Sequence, residues 1–317
     1  MARVHLLLIP PGGCACILAV GGDHVHHSGF CLSAGMIRPA KALATVVGAL
    51  LAGGLVWYLV ELPSLYARVK QDRSFPALSR YALEKTPDVV LIGSSMIYRV
   101  RVDYFLKVPV RNIAISGGSP LTALAIVGSY SSIPHLAMVE TNIMARPTEI
   151  GLIEQFGKND AAPHQWFRPF RAAISSVYYW IKTESVADDL AKFPQLPPLD
   201  YDIAASVESA AKDYSAKDLD DFVAKNVTAI KPMVEDLERR GCRVAFFELP
   251  YPGQLGDYHH AVLTRSLMHA AFPDPKNWPD IDFHRSELRW IDAVHMDERS
   301  AIIVAKEIER YIASSPF

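Results

Sequence analysis

The chain has 317 residues, half of them hydrophobic, and a formal net charge of −2. This length allows one large domain with a buried core plus an anchoring segment. The charge shows no excess of basic residues that would point to nucleic-acid binding. Of the four cysteines only Cys242 lies beyond residue 31. A disulfide framework is therefore not expected in the folded domain.

The first segment, residues 1–35, combines prolines, glycines and a histidine cluster without a sustained hydrophobic period, which predicts an unstructured segment. Met36 is followed by a short basic stretch and then a long apolar run. We therefore expect Met36 to be the true start of the protein and residues 1–35 to be an artefact of start-codon assignment. Cys14 and Cys16 lie near this histidine cluster, but their spacing matches no common zinc site.

An uncharged apolar run covers residues 42–60. Because about 20 apolar residues suffice to cross the hydrocarbon layer, we predict a transmembrane helix over 42–62. Arg38 and Lys41 precede the run, so the positive-inside rule predicts a cytoplasmic N-terminus and a single pass through the inner membrane. The rest of the chain would then be periplasmic. Two alternatives fit the same run: a signal peptide that is removed, although its apolar stretch is usually shorter, and a buried core helix.

A helical stalk is predicted at 63–86, and from there short apolar runs alternate with helical patterns through a domain at 87–317. Such an alternation predicts an α/β fold with three αβα layers, in which helices cover both faces of a parallel sheet. The carboxyl ends of all strands then meet at one edge, where ligands bind. The predicted strands are 88–92, 110–115, 136–141 and 243–249, and the predicted helices are 119–132, 217–240, 256–271 and 297–313.

Residues 150–215 break this alternation and are predicted to be an insertion that folds over the sheet edge. Two interpretations fit, an aromatic lid over a pocket and an ordinary packing subdomain. The aromatic residues on which the first depends are Trp166, Phe167, Phe170, Tyr178, Tyr179 and Trp180.

Four polar motifs lie where the predicted elements would bring them to one edge of the sheet. Ser95 follows the first strand, where a strand-to-helix turn can project a hydroxyl group beside free backbone N–H groups. Gly117 follows the second strand and allows a close backbone approach to a ligand, and Asn142 follows the third. Asp292 and His295 precede the last helix, where an imidazole can accept a serine proton while a carboxylate orients it. Each motif alone is more typical of a turn, a cap or a surface pair than of a catalytic site.

Together, in this order and context, the motifs resemble the SGNH, or GDSL-type, hydrolase and acyltransferase superfamily over about residues 87–313, with a divergent middle. The resemblance implies a flavodoxin-like parallel sheet and an acyl-serine mechanism without a cofactor. The residues on the family's functional positions are Ser95 as the nucleophile, His295 and Asp292 as the remainder of a triad, and Gly117 and Asn142 as contributors to an oxyanion hole.

The chain departs from the family's usual pattern at three positions. Ser94 replaces the usual aspartate, Ala114 replaces a frequent glycine, and Ile143 stands where an aspartate often follows the asparagine. The Gly-Ser-Ser version of the first motif resembles membrane-attached relatives that move acyl groups onto cell-envelope polymers. It implies an acyl donor, an exported polysaccharide as the acceptor and a multi-pass membrane acyltransferase as a partner.

Three functions remain open at this point. The first is a membrane-anchored O-acyltransferase, with acetyl as the expected group. The second is a membrane-tethered esterase acting on small or lipid esters, and the third is a catalytically inactive binding or assembly protein with the same fold. The catalytic residues do not distinguish the first two, because water and a sugar hydroxyl attack the same acyl-serine intermediate.

Other candidate residues are less well placed. Arg99, four residues after Ser95, can bind an anionic or polar acceptor or form a structural ion pair. His259 and His260 fall on a predicted helix and can line the edge of a pocket. No spacing matches a zinc or dinucleotide site, so we predict neither a metal nor a cofactor.

Overall fold

The computed structural model describes residues 74–83, 85–158 and 186–315, together with single positions between 45 and 55. The chain divides into two compact units, Met1–Tyr66 and Ala67–Phe317. The predicted unstructured segment 1–35 lies outside the described residues.

In the first unit, the described residues Thr45, Gly48, Leu51, Ala52 and Leu55 are all helical. Apart from these positions, the predicted transmembrane helix lies outside the described residues. Within the described parts of the chain, no helix is both long enough and apolar enough to cross a bilayer.

The second unit is built on a four-stranded parallel sheet. Its strands are β1 Val89–Ile92, β2 Val110–Asn112, β3 Leu136–Glu140 and β4 Arg243–Phe247. They lie side by side in the order β2-β1-β3-β4. In the register of this sheet, Val89 lies opposite both Val110 and Leu136, and Leu136 lies opposite Arg243. The predicted α/β class with a parallel sheet is therefore confirmed.

Helices pack on both faces of this sheet. Along β1, β3 and β4, alternate side chains enter two separate core clusters, with Val89 and Leu91 in one and Val90 and Ile92 in the other. In chain order, the helices assigned within the described residues are α1 Ser74–Leu83, α2 Ser95–Tyr98, α3 Pro120–Ser129, α4 Ile150–Phe156, α5 Val186–Lys192, α6 Ala204–Ser215, α7 Asp220–Arg239, α8 His259–Ala271 and α9 Glu298–Ser314.

The two core clusters receive different helices. The last helix, α9, contributes residues such as Ile302 and Ile308 to the cluster that contains Leu91. Helices α3 and α7 contribute residues such as Ile126 and Ile230 to the other cluster. Burying a leucine or isoleucine side chain contributes about 1.5–3 kcal/mol, so these apolar stripes hold the helix layers on the sheet.

Four of the described helices belong to the two regions with a less regular sequence pattern, the predicted stalk and the predicted insertion. Helix α1 lies in the predicted stalk, and its residues Leu78 and Tyr81 are buried in the core of the domain. Helices α4, α5 and α6 belong to the predicted insertion at 150–215, whereas the six aromatic residues of the lid hypothesis lie outside the described residues. Near the end of this insertion, Nε of Arg299 donates a hydrogen bond of 2.9 Å to the carbonyl oxygen of Leu196.

Helix α9 begins at a side-chain cap that fixes the end of the loop before it. The carboxylate of Asp297 accepts a hydrogen bond of 2.8 Å from the N–H of Ser300. The hydroxyl of Ser300 in turn accepts a hydrogen bond of 2.8 Å from the N–H of a third residue, Arg289. These bonds connect the start of α9 to residues on the other side of the loop.

Replacing Asp297 by alanine is expected to lower the free energy of unfolding by about 1 kcal/mol, because an N–H of the first turn loses its acceptor. For a protein of this size the melting temperature should fall by about 2–4 °C, which thermal unfolding would measure. Asp213→Ala, on the exposed surface of α6, is the control and should have almost no effect. A melting temperature unchanged by Asp297→Ala would contradict the capping role.

Candidate active site

The order of the strands marks one place on the sheet where a ligand can bind. The chain moves from β1 to β2 on one side and then returns to β3 on the other side of β1. At such a reversal the connections leave in opposite directions, and a ligand-binding crevice is expected outside the carboxyl ends of the two central strands. Ser95 follows β1 and Asn142 follows β3, so both sequence-predicted residues flank this crevice.

Ser95 is the first residue of the short helix α2, and both ends of this helix are held by side chains. Ser94 caps the beginning, where its hydroxyl accepts a hydrogen bond of 3.2 Å from the N–H of Met96. At the other end, Nδ2 of Asn112 donates to the carbonyl oxygens of Ile97 and Val100, at 2.8 and 2.7 Å. The half-buried Ser95 is therefore presented on a fixed turn.

Asp292 and His295 lie on a narrow loop just before α9. An antiparallel bridge pairs Trp290 with Met296 at its base, and the N–H of Ile291 donates to the carbonyl oxygen of His295 at 2.8 Å. Within the loop, Oδ2 of Asp292 lies 2.7 Å from Nδ1 of His295. The structure thus brings the predicted acid and histidine into direct contact.

The same carboxylate also binds the backbone of the loop. Oδ1 of Asp292 accepts hydrogen bonds of 2.9 and 2.7 Å from the N–H groups of Val294 and His295. Burial alone would raise the pKa of Asp292, but the bonds from Val294 and from His295 outweigh it, and the pKa is lowered. An ionised carboxylate only accepts hydrogen bonds. The proton of a neutral His295 therefore lies on Nδ1, and Nε2 carries the free lone pair that a general base needs.

The segments that carry Ser95 and His295 pack in the same core cluster. Met96 and Met296, each next in sequence to one of these residues, are both buried there. A salt bridge of 3.5 Å between Arg101 and Glu298 connects the same two segments at the surface. Neither the hydroxyl of Ser95 nor Nε2 of His295 has a hydrogen-bond partner among the described residues. No hydrogen bond therefore joins Ser95 to His295 in this structure, and their pairing stays a prediction.

Gly117 lies in the exposed turn after β2 and has a positive φ of 77°. A Cβ atom at this position would meet no other atom within 4 Å, so the backbone conformation, rather than crowding, favours glycine here. Its role as an oxyanion-hole donor remains a prediction.

Asn142 is buried, and its carboxamide binds the backbone that follows β4. Its Nδ2 donates to the carbonyl oxygen of Leu249, and the N–H of Leu249 donates to its Oδ1, each at 2.8 Å. The hydroxyl of Tyr251 donates to the main-chain oxygen of Asn142 at 3.0 Å. These bonds hold the segment after β4 against the end of β3. One hydrogen of Nδ2 remains for another acceptor, and its predicted contact with an oxyanion stays a prediction.

The sequence analysis missed Glu140, the last residue of β3. Its side chain is fully buried, and its two carboxylate oxygens accept hydrogen bonds from Ser94 and Asn142. Burial raises the pKa of Glu140, and the hydrogen bonds from Ser94 and Asn142 offset part of that rise. The only sequence signal was an acid that ends an otherwise apolar strand.

The less well placed candidates have separate outcomes. Among the residues that the structure describes, no acid forms an ion pair with Arg99. His259 is paired with Asp220, with Nε2 lying 2.9 Å from a carboxylate oxygen, and His260 is buried beside the ring of Tyr214. Across 74–83, 85–158 and 186–315, no cluster of histidine, cysteine, aspartate or glutamate residues could hold a metal ion.

A cavity of about 350 Å³ opens beyond the carboxyl end of β4. It is lined by Glu248 and Arg265, which form two hydrogen bonds of 2.7 and 2.6 Å, and by Tyr251, which contacts Asn142. Because β4 lies two strands from β1 in the sheet, the end of β4 is about 10 Å from the end of β1. The cavity is thus on the same edge as Ser95.

No protein-family model, curated protein or solved structure matches the chain. The function of the site is therefore inferred from its own residues and geometry.

Proposed function

We propose that this chain is a serine acyl-transfer enzyme of the SGNH type. The observation that carries the proposal is the contact between Asp292 and Nδ1 of His295. The next residue, Met296, is buried in the same core cluster as Met96, which follows Ser95. The strand order β2-β1-β3-β4 supports the proposal, because flavodoxin-like sheets begin in the same order and bind ligands at the same switch point.

In the proposed reaction the hydroxyl oxygen of Ser95 attacks the carbonyl carbon of an ester, and its proton moves to Nε2 of His295. Asp292 stabilises the resulting imidazolium. The N–H group of Ser95 or of Gly117 and the free Nδ2 hydrogen of Asn142 are the donors proposed for the oxyanion. Loss of one such donor typically costs about 3 kcal/mol of transition-state stabilisation. The bond to the leaving alcohol then breaks, His295 returns the proton to that alcohol, and an acyl-Ser95 ester remains.

The second half of the reaction decides between transferase and esterase. We propose that a hydroxyl group of an exported cell-envelope polysaccharide gives its proton to His295, attacks the acyl carbon and releases Ser95, so that the chain is an O-acetyltransferase. The cavity beyond β4 offers space for such an acceptor on the same edge of the sheet, and Arg99 is a further candidate to contact it. Attack by water would make the protein an esterase instead.

The membrane location is also part of the proposal. The apolar run at 42–60 and the basic residues before it support a single transmembrane helix over 42–62, with the catalytic domain on the periplasmic side. A multi-pass membrane acyltransferase would then supply the acyl group. Membrane fractionation of the native protein followed by alkaline washing tests the anchor, because an integral helix stays with the membrane pellet.

The catalytic proposal is tested by incubating the full-length protein with p-nitrophenyl acetate, with and without an oligosaccharide acceptor. We expect an acetyl group on Ser95, identified by mass spectrometry of peptides, and acetylated oligosaccharide as the product. Acetate release alone, with acyl-Ser95 present, would favour the esterase. A well-folded sample that never forms acyl-Ser95 would leave only the binding or assembly protein.

A further inference from the structure

Glu140 connects the ends of the two central strands. It is the last residue of β3 and is 1% exposed. Its Oε2 accepts hydrogen bonds from the backbone N–H and the hydroxyl of Ser94, at 2.7 and 2.6 Å. Its Oε1 accepts one of 2.6 Å from the N–H of Asn142. The carboxylate of Glu140 therefore connects Ser94, the residue before Ser95, to Asn142 across the switch point of the sheet.

The packing around Gly93 shows how closely this side chain fits. A Cβ atom on Gly93 would lie 2.7 Å from Cβ and Oε2 of Glu140 and 2.7 Å from Cγ2 of Ile97. Gly93 is therefore glycine because Glu140 and Ile97 occupy the space that a side chain would need. The Gly93-Ser94-Ser95 motif has no carboxylate of its own. The absence of a side chain at Gly93 leaves room for the carboxylate of Glu140 from the neighbouring strand β3.

A continuous chain of hydrogen bonds leads from this carboxylate to the helix that carries Ser95. The hydroxyl of Ser94 donates to Glu140 and accepts from the N–H of Met96, so Glu140 fixes the rotation of the hydroxyl that caps α2. The backbone N–H of Ser94 is bound to the same carboxylate oxygen. Because Ser95 follows Ser94 directly, Glu140 on β3 thereby fixes the position of Ser95.

We propose that Glu140 is a positioning residue that acts through Ser94 to aim the hydroxyl of Ser95 at His295. The proposal rests on the acyl-transfer function inferred above. The buried carboxylate is not itself placed to exchange protons with substrate, because its oxygens are bound to Ser94 and Asn142. A purely structural brace would affect stability alone, whereas a positioning residue also affects the reactivity of Ser95 in the folded protein.

The experiment measures acetylation of Ser95 by p-nitrophenyl acetate in the full-length protein. Glu140→Gln keeps the shape of the side chain but turns one acceptor into a donor, and we expect it to acylate about 100-fold more slowly than wild type. The matched control is Glu309→Gln on α9. Glu309 is also buried and accepts hydrogen bonds from two backbone N–H groups, those of Lys107 and Val108, and its replacement should leave the rate unchanged.

A double-mutant cycle on the acylation rate distinguishes a positioning role of Glu140 from a purely structural one. If Glu140 acts through Ser94, then Ser94→Ala and Glu140→Gln should each slow acylation, and the double variant should be hardly slower than either single one. If the acylation rate of the double variant falls by the product of the two single effects, the proposal is overturned. A wild-type acylation rate for Glu140→Gln, or an equal loss for Glu309→Gln, would also overturn it. Should Glu140→Gln fail to fold, Glu140→Asp retains the charge on a shorter arm, and wild-type acylation by that variant would overturn the proposal.

Amide hydrogen exchange separates this proposal from the catalytic one. Glu140→Gln, but not Glu309→Gln, is expected to speed exchange at the N–H groups of Ser94 and Met96. If wild-type Ser95 is never acylated while this exchange changes as expected, the catalytic function has failed and the anchoring by Glu140 stands. Unchanged exchange at Ser94 would overturn the anchoring itself.

Discussion

Replacing Ser95 by alanine is expected to lower the rate of ester turnover by about 10⁵- to 10⁶-fold. The hydroxyl is the nucleophile in the proposed reaction, so no acyl-enzyme can form without it. The fold should be unaffected, because the hydroxyl of Ser95 has no hydrogen-bond partner among the described residues and its side chain is only half-buried. Hydrolysis of p-nitrophenyl acetate and the melting temperature, measured on one preparation, check both expectations.

Two serine variants serve as comparisons for this result. Ser215→Ala removes a hydroxyl that bonds to the carbonyl oxygen of Ala211 on the exposed end of α6, and should change neither turnover nor stability. Ser94→Ala removes a buried hydroxyl bound to Glu140, and should lower stability as well as turnover. If Ser95→Ala kept full activity, the nucleophile would have to be another residue.

The strands could be predicted from the sequence because each lies in a short, largely apolar run, and β1 and β3 are buried along their whole length. The prediction for β4 began at the correct residue, Arg243, but extended to residue 249, two residues beyond the strand. For β2 it extended to residue 115, three residues beyond the end of the strand. Ile113 and Ile115 are buried, and their N–H groups still donate hydrogen bonds to the carbonyl oxygens of Leu91 in β1 and of Gly93 just after it. The apolar pattern therefore continues past the paired ladder, and hydrophobicity alone cannot mark its end.

The pairing of Asp292 with His295 could be predicted because both residues lie in one short loop. The partners of Asn142 and Ser94 could not, since they depend on which strands are neighbours. Leu249, which binds the carboxamide of Asn142, is 107 residues away in the chain, and Glu140 is 46 residues from Ser94. Both contacts exist because β3 lies between β1 and β4, an order that strand composition does not encode.

Asp292→Asn is expected to lower turnover by about 10⁴-fold while the loop keeps its shape. An asparagine can still accept the hydrogen bonds that Oδ1 receives from Val294 and His295. Its amide group would, however, present hydrogens to Nδ1 of His295, which then becomes an acceptor and moves the proton to Nε2. A protonated Nε2 cannot take the proton of Ser95, so activity is lost through the wrong tautomer. Rates of p-nitrophenyl acetate hydrolysis for wild type and variant measure the effect.

The matched control for this substitution is Asp88→Asn. Asp88 also lies beside a histidine, with its Oδ1 3.5 Å from Nδ1 of His135, but it precedes β1 at the opposite end of the sheet from Ser95 and should be dispensable for turnover. A second measurement uses the lowered pKa of Asp292. The ionised carboxylate stabilises the folded state above the usual aspartate pKa of about 3.9, and this contribution is lost as the pH falls through the lower folded value. Asp292→Asn should therefore destabilise the protein at neutral pH and less so in strong acid. Equal activity losses from Asp88→Asn and Asp292→Asn would mean that general disturbance of the fold, rather than control of the His295 tautomer, explains the effect.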